Sequence, residues 1–212
     1  DVHYLVFGLP APRTVLTIHD CAALSRLRGV RREILRYFWF SGPVARAGVT
    51  TTISEASKQE LRQWLGPLAD KIEVVPDCVF GAFTLEVKAF DVACPVCLQV
   101  GTKWNKNVER VAQALRGVPC RLEVVGTLSD SQRQCLRECS VSFVELGSLS
   151  DTALVEAYRR CDMVLFASLY EGFGLPILEG QATGRPVITS GHGAMKEAAG
   201  EGALFVDPMS PE

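Results

Sequence analysis

Long apolar runs and a charge excess are both missing from this 212-residue chain. No run approaches the roughly 18–20 apolar residues that cross a bilayer, and the most apolar stretches, Met163–Ala167 and Val96–Val100, have the length of strands. With 22 basic and 24 acidic side chains the net charge is −2, which does not favour nucleic acid as a partner. Hydrophobic residues make up 48% and charged residues 22%, a balance that excludes disordered, collagen-like and coiled-coil proteins.

Spacings typical of metal sites are missing too. Among eight cysteines the single Cys-x-x-Cys pair is Cys94-Pro-Val-Cys97, whereas a zinc site would need a second such pair or two histidines at a fixed spacing. The cysteines are scattered through strand-like and helix-like segments, which favours reduced thiols in a cytoplasmic protein over a disulfide framework. We therefore predict no metal site.

The start of the chain has neither an initiator methionine nor the basic region of a signal peptide. Pro10 and Pro12 interrupt its apolar stretch, and a strand-like run begins at Tyr4 almost at once. These features suggest that the chain is a fragment of a longer protein.

Short β-rich runs alternate with helical patterns along nearly the whole chain. One apolar helical stripe runs from Val108 to Leu115 at i, i+3, i+4 and i+7, and another contains Leu154, Tyr158 and Cys161. Several strand-like runs are continuously apolar, as expected for strands covered on both faces of a parallel sheet. The alternation predicts an α/β, doubly wound fold. The predicted strands are Tyr4–Phe7, Thr14–Ile18, Val49–Ile53, Ile72–Val75, Cys97–Val100, Leu122–Val125, Val141–Val144, Met163–Ala167, Pro186–Thr189 and Ala203–Val206.

The alternation breaks once, between Pro76 and Pro95, where the sequence has no clear period. We interpret this stretch as the connection between two Rossmann-like domains. Residues 1–82 would be the second half of an N-terminal domain, 83–95 a linker and 96–212 a C-terminal domain. The first domain is therefore expected to be incomplete.

The loop after the predicted strand Met163–Ala167 is suited to bind an anion. Gly172 and Gly174 remove side-chain bulk near the backbone, and Pro176 suits the first turn of the helix that follows. The free N–H groups at that helix start, together with the positive end of its dipole, attract anions. A Gly-x-Gly loop alone is explained equally well by a tight turn.

Two carboxylates make this loop more specific. Glu171 lies in the loop, and Glu179 lies in the predicted helix eight positions later. An acidic residue at a helix start often only compensates the dipole, but Glu179 has apolar neighbours among which its charge needs a partner. Two carboxylates beside an anion-binding loop suit a ligand that carries both phosphate and hydroxyl groups, such as a nucleotide sugar.

The segment Glu171–Glu179, EGFGLPILE, resembles the E-x7-E signature of the retaining, GT-B-fold glycosyltransferases of family four, the group 1 glycosyltransferases. The resemblance runs through nearly the whole chain and implies a GT-B pair of Rossmann-like domains, without the start of the first domain and without the helices that normally follow the second. The other matching segments are 17–20, 53–58, 74–76, 100–107, 144–151, 184–190, residue 197 and 206–208.

The resemblance also implies a role for individual donor-binding residues. Lys106 would hold the diphosphate, Glu179 would accept hydrogen bonds from the ribose hydroxyls, and Leu149 would line the base pocket. The implied donor-binding residues are Gly101, Thr102, Lys103, Lys106, Leu149, Gly172, Phe173, Gly174, Leu175 and Glu179.

His19 and Glu171 are the catalytic residues that the resemblance implies. His19, at the end of a first-domain strand, would reach toward the transferred sugar. Glu171 and the backbone around Phe173 and Gly174 would face the donor hexose and phosphates. A single histidine at a strand end is also commonly structural.

The phosphate loop departs from the family pattern at one position. Many members carry an arginine where this chain has Thr102, and Lys103 could supply the second positive charge without the planar, bidentate contact of a guanidinium. An alternative interpretation of Lys106 is a solvated lysine at a helix start. Its positive charge would oppose the helix dipole there, unless an anionic ligand offsets it.

The resemblance implies transfer of a hexose, of mannose or glucose type, from a UDP- or GDP-hexose to a hydroxyl of a glycan or lipid-linked sugar. The anomeric configuration would be retained, without a metal, a cofactor or an enzyme nucleophile. A GT-B-like sugar-nucleotide epimerase or hydrolase would use the same donor site, and a non-catalytic nucleotide-sugar-binding homologue is a further alternative.

The expected location is the cytoplasm, with peripheral association at the inner face of a membrane as one option. We expect no nucleic-acid partner. If the chain is a fragment, we expect self-association through exposed strand edges and donor binding without efficient turnover.

Overall fold

The computed structural model describes residues 3–211 of the chain. The chain divides into two units, Asp1–Asp77 and Cys78–Glu212. The domains predicted as 1–82 and 96–212 include residues 1, 2 and 212, which lie outside the described residues. Over the described part, no helix combines the length and the apolar character that a membrane span requires.

A three-stranded parallel sheet forms the centre of the first unit. Strands β1 (Val15–Ile18), β2 (Val49–Thr52) and β3 (Ile72–Val74) lie side by side in chain order, and Ile18 and Ile72 are fully buried in the apolar core beside them. The α-helices of this unit are α1 (Ala22–Arg26), α2 (Gly29–Leu35), α3 (Gly42–Arg46) and α4 (Glu55–Leu65), with a π-helical segment at Arg36–Ser41 and 3-10 helices at His3–Gly8, Ala11–Arg13 and Gly66–Lys71.

The prediction of a strand at Tyr4–Phe7 is wrong, because His3–Gly8 is a 3-10 helix. Val6 is buried in the core of the unit, and its carbonyl oxygen accepts a hydrogen bond from Arg46 Nε at 3.0 Å. That bond uses an acceptor that a neighbouring strand would otherwise need. A short apolar run does not by itself distinguish a strand from a buried helical turn.

A six-stranded, wholly parallel sheet forms the centre of the second unit, in the order β6-β5-β4-β7-β8-β9. This arrangement confirms the α/β, doubly wound prediction. The strands are β4 (Val96–Val100), β5 (Arg121–Val125), β6 (Ser142–Gly147), β7 (Met163–Phe166), β8 (Val187–Ser190) and β9 (Leu204–Val206). The helices are α5 (Val108–Ala114), α6 (Asp130–Glu138), α7 (Asp151–Arg160), α8 (Leu175–Ala182) and α9 (Gly193–Ala199), with a 3-10 turn at Trp104–Lys106.

Both faces of this sheet are buried, which explains the continuously apolar strands. Successive side chains of a strand point to opposite faces, and neighbours on β4 and β7 enter different apolar clusters. Cys97 and Leu165 pack in one cluster, whereas Leu98 and Phe166 pack in the other.

The order of the strands reverses direction between β4 and β7. From β4 the chain first builds one side of the sheet, through β5 and β6, and then crosses to β7 and builds the other side. In open α/β sheets, ligands bind in the crevice that such a reversal leaves outside the carboxyl ends of the two strands. The loops that follow β4 and β7 therefore define where a ligand site is expected.

The segment that precedes β4 belongs to the second unit. We call residues 78–95 the lead-in segment; it contains the predicted linker 83–95. Its Glu86 carbonyl accepts a hydrogen bond from Arg185 at 3.0 Å, and Lys88 pairs with the buried carboxylate of Asp162. Separate side-chain contacts hold this segment in place, and it forms no helix or strand. Its sequence therefore lacks the regular spacing of apolar residues that a helix or strand would have.

Candidate functional site

The loops after β4 and β7 are tied directly to each other. The backbone N–H of Leu169 donates to the carbonyl of Asn105 at 2.8 Å. Asn107 has a left-handed backbone (φ 61°) where α5 begins, and its side-chain amide donates to the carbonyls of Ala167 (3.0 Å) and Pro208 (2.8 Å). The two loops at the strand-order reversal therefore form one structural unit.

Lys106 and Glu171 meet between these loops. Lys106 Nζ donates to Glu171 Oε1 at 2.7 Å, and each side chain is only 16% exposed. Asn105 donates to the same oxygen at 3.1 Å, and the lysine ammonium lies 4.5 Å from the ring centroid of Phe166, a cation–π distance. Lys106 is thus a half-buried cation held by a carboxylate and not a solvated lysine.

Gly101 makes room for this lysine. It has a φ of +90°, and a Cβ at this position would lie 2.9 Å from Lys106 Cε. The loop therefore favours a glycine here for its backbone conformation, and a Cβ would also require the lysine stem to shift.

Thr102 and Lys103 have different surroundings from Lys106. Thr102 donates from Oγ1 to the carbonyl of Thr127 at 2.8 Å, and its own carbonyl accepts from Gln132 Nε2 at 2.9 Å. Its side chain thus joins the loops after β4 and β5, while Lys103 is exposed. A diphosphate-binding role of these two residues remains a prediction.

Helix α8 begins without a side-chain cap. Gly174 is its N-cap, with a φ of +125°, and makes no side-chain cap hydrogen bond. Gly172 and Leu175 are half-buried and Phe173 is buried. The backbone N–H groups of the first turn are the kind of donors that bind an anion at a helix start.

Glu179, in the second turn of α8, has a neutral partner. Its Oε2 accepts a hydrogen bond of 2.6 Å from the phenol of Tyr158, which is fully buried on α7. Burial raises the pKa of Glu179, while the Tyr158 hydrogen bond and the charge of Lys106 act in the opposite direction. The sequence indicated that this carboxylate needs a partner, but it did not identify Tyr158.

The remaining site residues, Leu149 and His19, lie outside these two loops. Leu149 is half-buried after β6, where it packs against the apolar cluster that includes Leu98 and Phe166. His19 is exposed directly after β1 in the first unit, whereas all the other predicted site residues lie in the second. Their predicted roles remain predictions.

No metal-binding cluster of three or more His, Cys, Asp or Glu side chains occurs within residues 3–211. In the Cys94-x-x-Cys97 pair, Cys94 is exposed and Cys97 is buried. Burial raises the pKa of Cys97 to about 12. This thiol therefore stays protonated at neutral pH, whereas a redox nucleophile needs the thiolate.

Comparison with known proteins places these loops in a family. Residues 94–212, more than half of the chain, match the family model of the group 1 glycosyl transferases. The chain is 39% identical over 225 residues to the serotype-specific mannosyltransferase WbdA of Escherichia coli, covering 91% of this chain and 27% of that protein.

Solved structures show the same fold. Sucrose-phosphate synthase from Thermosynechococcus elongatus superposes with a TM-score of 0.76 at 21% identity, over 93% of this chain and 55% of that one. HepE from Anabaena, solved in complex with UDP and glucose, superposes with a TM-score of 0.68 at 19% identity, over 93% of this chain and 58% of that one. The chain thus spans 55% and 58% of the length of these two structures and 27% of the length of WbdA. The chain belongs to the group 1 glycosyltransferase family and has the α/β architecture of GT-B glycosyltransferases.

Proposed function

We propose that this protein acts in the transfer of a hexose from a nucleoside-diphosphate sugar to a hydroxyl acceptor, with retention of the anomeric configuration. The observation that carries the proposal is the Lys106–Glu171 pair beside the uncapped start of α8. A half-buried cation, a helix start without a side-chain cap and two carboxylates lie at the strand-order reversal, where α/β proteins bind nucleotides.

The diphosphate would take the place of Glu171 at Lys106. Its charge is met by the lysine ammonium, a compact cation on a flexible stem, and by the N–H groups at the start of α8. Both are in place before the reaction, so they stabilise the negative charge that develops on the leaving diphosphate. Glu179 accepts hydrogen bonds from the ribose, and Leu149 contacts the base.

The reaction we propose is a front-face substitution. The bond between the anomeric carbon and the diphosphate oxygen breaks, the acceptor oxygen bonds to the same face of that carbon, and the acceptor proton goes to the leaving diphosphate. The proposed step uses no enzyme nucleophile. His19 is a further residue that we propose to act in catalysis. The proposal includes no metal and no cofactor.

Mannose is the hexose that we propose. The names of two relatives, WbdA of Escherichia coli and RfbU of Salmonella typhimurium, describe mannosyltransferases. The nucleotide would be GDP or UDP; one structural neighbour was solved with UDP. The acceptor would be a glycan or a lipid-linked sugar.

An exposed face of the first unit supports a lipid-linked acceptor. Val30, Ile34, Tyr37 and Phe38 recur at i, i+4, i+7 and i+8, and all four are exposed, from 46% at Phe38 to 75% at Val30. The surrounding segment, residues 26–46, carries six arginines and one acidic residue. An apolar stripe flanked by arginines suits the surface of an anionic membrane. We therefore propose peripheral association with the cytoplasmic membrane face.

Vesicle flotation tests this association. The chain should float with vesicles that contain anionic phosphatidylglycerol and stay behind with vesicles of phosphatidylcholine alone, and Ile34→Glu should weaken the flotation. A chain that floats with neither kind of vesicle would remove the membrane from the proposal and leave the donor site untouched, and one that floats equally with both would contradict the preference for an anionic surface.

A binding panel followed by a product assay tests the proposed activity. Calorimetry with UDP, GDP and ADP should show one preferred diphosphate. The matching sugar nucleotide should then give a glycoside only when an acceptor is present. Free sugar or a new sugar-nucleotide isomer without an acceptor would indicate a hydrolase or an epimerase. Donor binding without turnover by the intact-length protein would indicate a binding homologue, and no binding at all would contradict the donor site.

A further inference from the structure

The hydroxyl of Tyr158 has one short acceptor. It lies 2.6 Å from Glu179 Oε2 and 3.4 Å from the carbonyl oxygen of Pro176. A phenol has one proton to donate, and hydrogen bonds between oxygens are normally 2.5–3.0 Å long. Tyr158 therefore directs its proton to the carboxylate.

The ring and the backbone of Tyr158 are each held by a neighbouring side chain. The ring of Phe83, in the lead-in segment, meets it edge-on, with centroids 5.3 Å apart and an interplanar angle of 90°. The buried guanidinium of Arg185 donates from Nε to the Tyr158 carbonyl at 3.0 Å. With no exposed surface, the phenol has a fixed direction.

The two oxygens of Glu179 differ as a result. Oε2 is taken by Tyr158, whereas within residues 3–211 no side chain or backbone group donates a hydrogen bond to Oε1. A carboxylate held at one oxygen presents the other in a constant direction. Two vicinal hydroxyls of a ribose are a ligand that such an acceptor can recognise.

We propose that Tyr158 is a positioning residue of the donor site: it fixes Oε2 of Glu179 so that Oε1 is oriented toward the hydroxyls of a ribonucleotide. The inference rests on the proposed role of Glu179 in donor binding. Tyr158 itself does not touch the ligand. Its ring packs against Phe83, so the lead-in segment helps to hold it in place.

The groups around Glu179 also predict how ribose binding depends on pH. The titratable groups that face it are Tyr158 from α7 and Lys106 from the loop after β4, and both lower the pKa that burial raises. Removal of the phenol hydroxyl takes away one of the two interactions that lower the pKa of Glu179, and burial still raises it. The pKa of Glu179 should then rise further, so that the charged acceptor is lost at a higher pH.

The test is Tyr158→Phe in the full chain, which removes one oxygen and keeps the ring. Calorimetry compares whichever of UDP and GDP binds the wild type with its 2′,3′-dideoxy counterpart. The preference for the ribonucleotide should fall roughly three- to tenfold, the range of a typical hydrogen bond, with the affinity for the dideoxy ligand unchanged. Tyr4→Phe, the same change at an exposed tyrosine of the first unit, should have no effect.

Two further measurements separate positioning from general stability. As the pH is lowered, the ribose preference of Tyr158→Phe should disappear at a higher pH than that of the wild type. In a Glu179→Gln background, Tyr158→Phe should cause little additional loss, because both changes act on one contact.

Each outcome decides between the claims. A wild type that binds nucleoside diphosphates without preferring ribose contradicts the role of Glu179, and one that binds none contradicts the proposed function. A wild type that prefers ribose, with Tyr158→Phe keeping the same preference and pH dependence, overturns the inference, and so does an equal loss for both ligands. If Tyr158→Phe does not fold, Phe83→Leu replaces it. That variant keeps the hydroxyl and the carboxylate, and an unchanged ribose preference in it also overturns the inference.

Discussion

The two glutamates of the E-x7-E segment have partners of opposite kinds. Glu171 accepts hydrogen bonds from the charged Lys106 and from Asn105, within the loops after β4 and β7. Glu179 accepts its hydrogen bond from the neutral phenol of Tyr158, on a neighbouring helix. One carboxylate is thus part of an ion pair, whereas the other is a half-buried acid whose pKa burial raises.

This difference indicates which contact a ligand can exchange. A diphosphate can replace Glu171 at Lys106, because one anion takes the place of another and the lysine stays paired. Tyr158 does not neutralise Glu179, so this carboxylate gains from further hydrogen-bond donors, such as hydroxyl groups. We expect Glu171 to change partners on donor binding and Glu179 to keep its own.

Removal of the lysine should have the largest effect. Lys106→Ala should weaken binding of a nucleoside diphosphate by about ten- to hundredfold, because a hydrogen bond to a charged group is worth about 1.5–3 kcal/mol. Binding of the nucleoside alone should change little. Calorimetry with both ligands measures the difference, and Lys196→Ala, at an exposed lysine of α9, is the matched control. Equal losses for both ligands would show that Lys106 does not contact the diphosphate.

Removal of the charge of Glu179 should have a smaller and more selective effect. Glu179→Gln keeps the shape of the side chain but weakens the acceptor, so ribonucleotides should bind roughly three- to tenfold more weakly. Their 2′,3′-dideoxy analogues should bind as before. Glu201→Gln, at an exposed glutamate of the same unit, should leave both ligands unaffected. If Glu179→Gln keeps the wild-type preference for ribose, Glu179 has a structural role only.

Much of this fold could be predicted because its signals are local. Parallel strands covered on both faces appear as continuous apolar runs, and the loops after β4 and β7 contain Lys106 and the glycines of the E-x7-E segment. The strand predicted at Tyr4–Phe7 was wrong because its anchor, Arg46, lies 40 positions away in the chain.

The partners within the site could not be predicted for the same reason. Lys106 and Glu171 are 65 positions apart, and Tyr158 and Glu179 are 21 apart. Tyr158 lies in an apolar helical stripe with Leu154 and Cys161, where it resembles a core residue. Its hydroxyl was the available signal, because a buried tyrosine normally needs a hydrogen-bond partner.

Removal of the charge of Glu171 should act in the opposite direction to the other two changes. Glu171→Gln frees Lys106 from its ion pair, so a nucleoside diphosphate should bind roughly two- to fivefold more tightly, since a partly exposed pair is worth about 1 kcal/mol or less. The sugar nucleotide should not share this gain, because Glu171 is predicted to face the hexose. Parallel titrations with the two ligands measure both effects. Weaker binding of the sugar-free diphosphate would show that Glu171 supports the site and does not compete for it.

The smallest effect concerns stability, and its sign differs between two carboxylates of the second unit. The folded-state pKa of Glu179 lies above the ordinary value of 4.5, so the folded state binds more protons than the unfolded state between these two values. The free energy of unfolding therefore falls as the pH rises from 4.5 through the folded-state pKa of Glu179. At neutral pH the charged side chain destabilises the folded state. Glu179→Gln should raise the free energy of unfolding at pH 7 by on the order of 0.5 kcal/mol.

This gain should disappear below pH 4.5, where Glu179 is protonated in both states. Glu145 gives the contrast, because the hydrogen bond from Arg133 lowers its pKa. Its contribution is present above pH 4.5 and is lost as the pH falls through the folded-state pKa, so Glu145→Gln should destabilise the protein at pH 7. Urea unfolding at pH 7 and pH 4 measures both variants. If Glu179→Gln were less stable than the wild type at pH 7, the charge of Glu179 would be a net stabilising feature, and the contrast between the two glutamates of the E-x7-E segment would not hold.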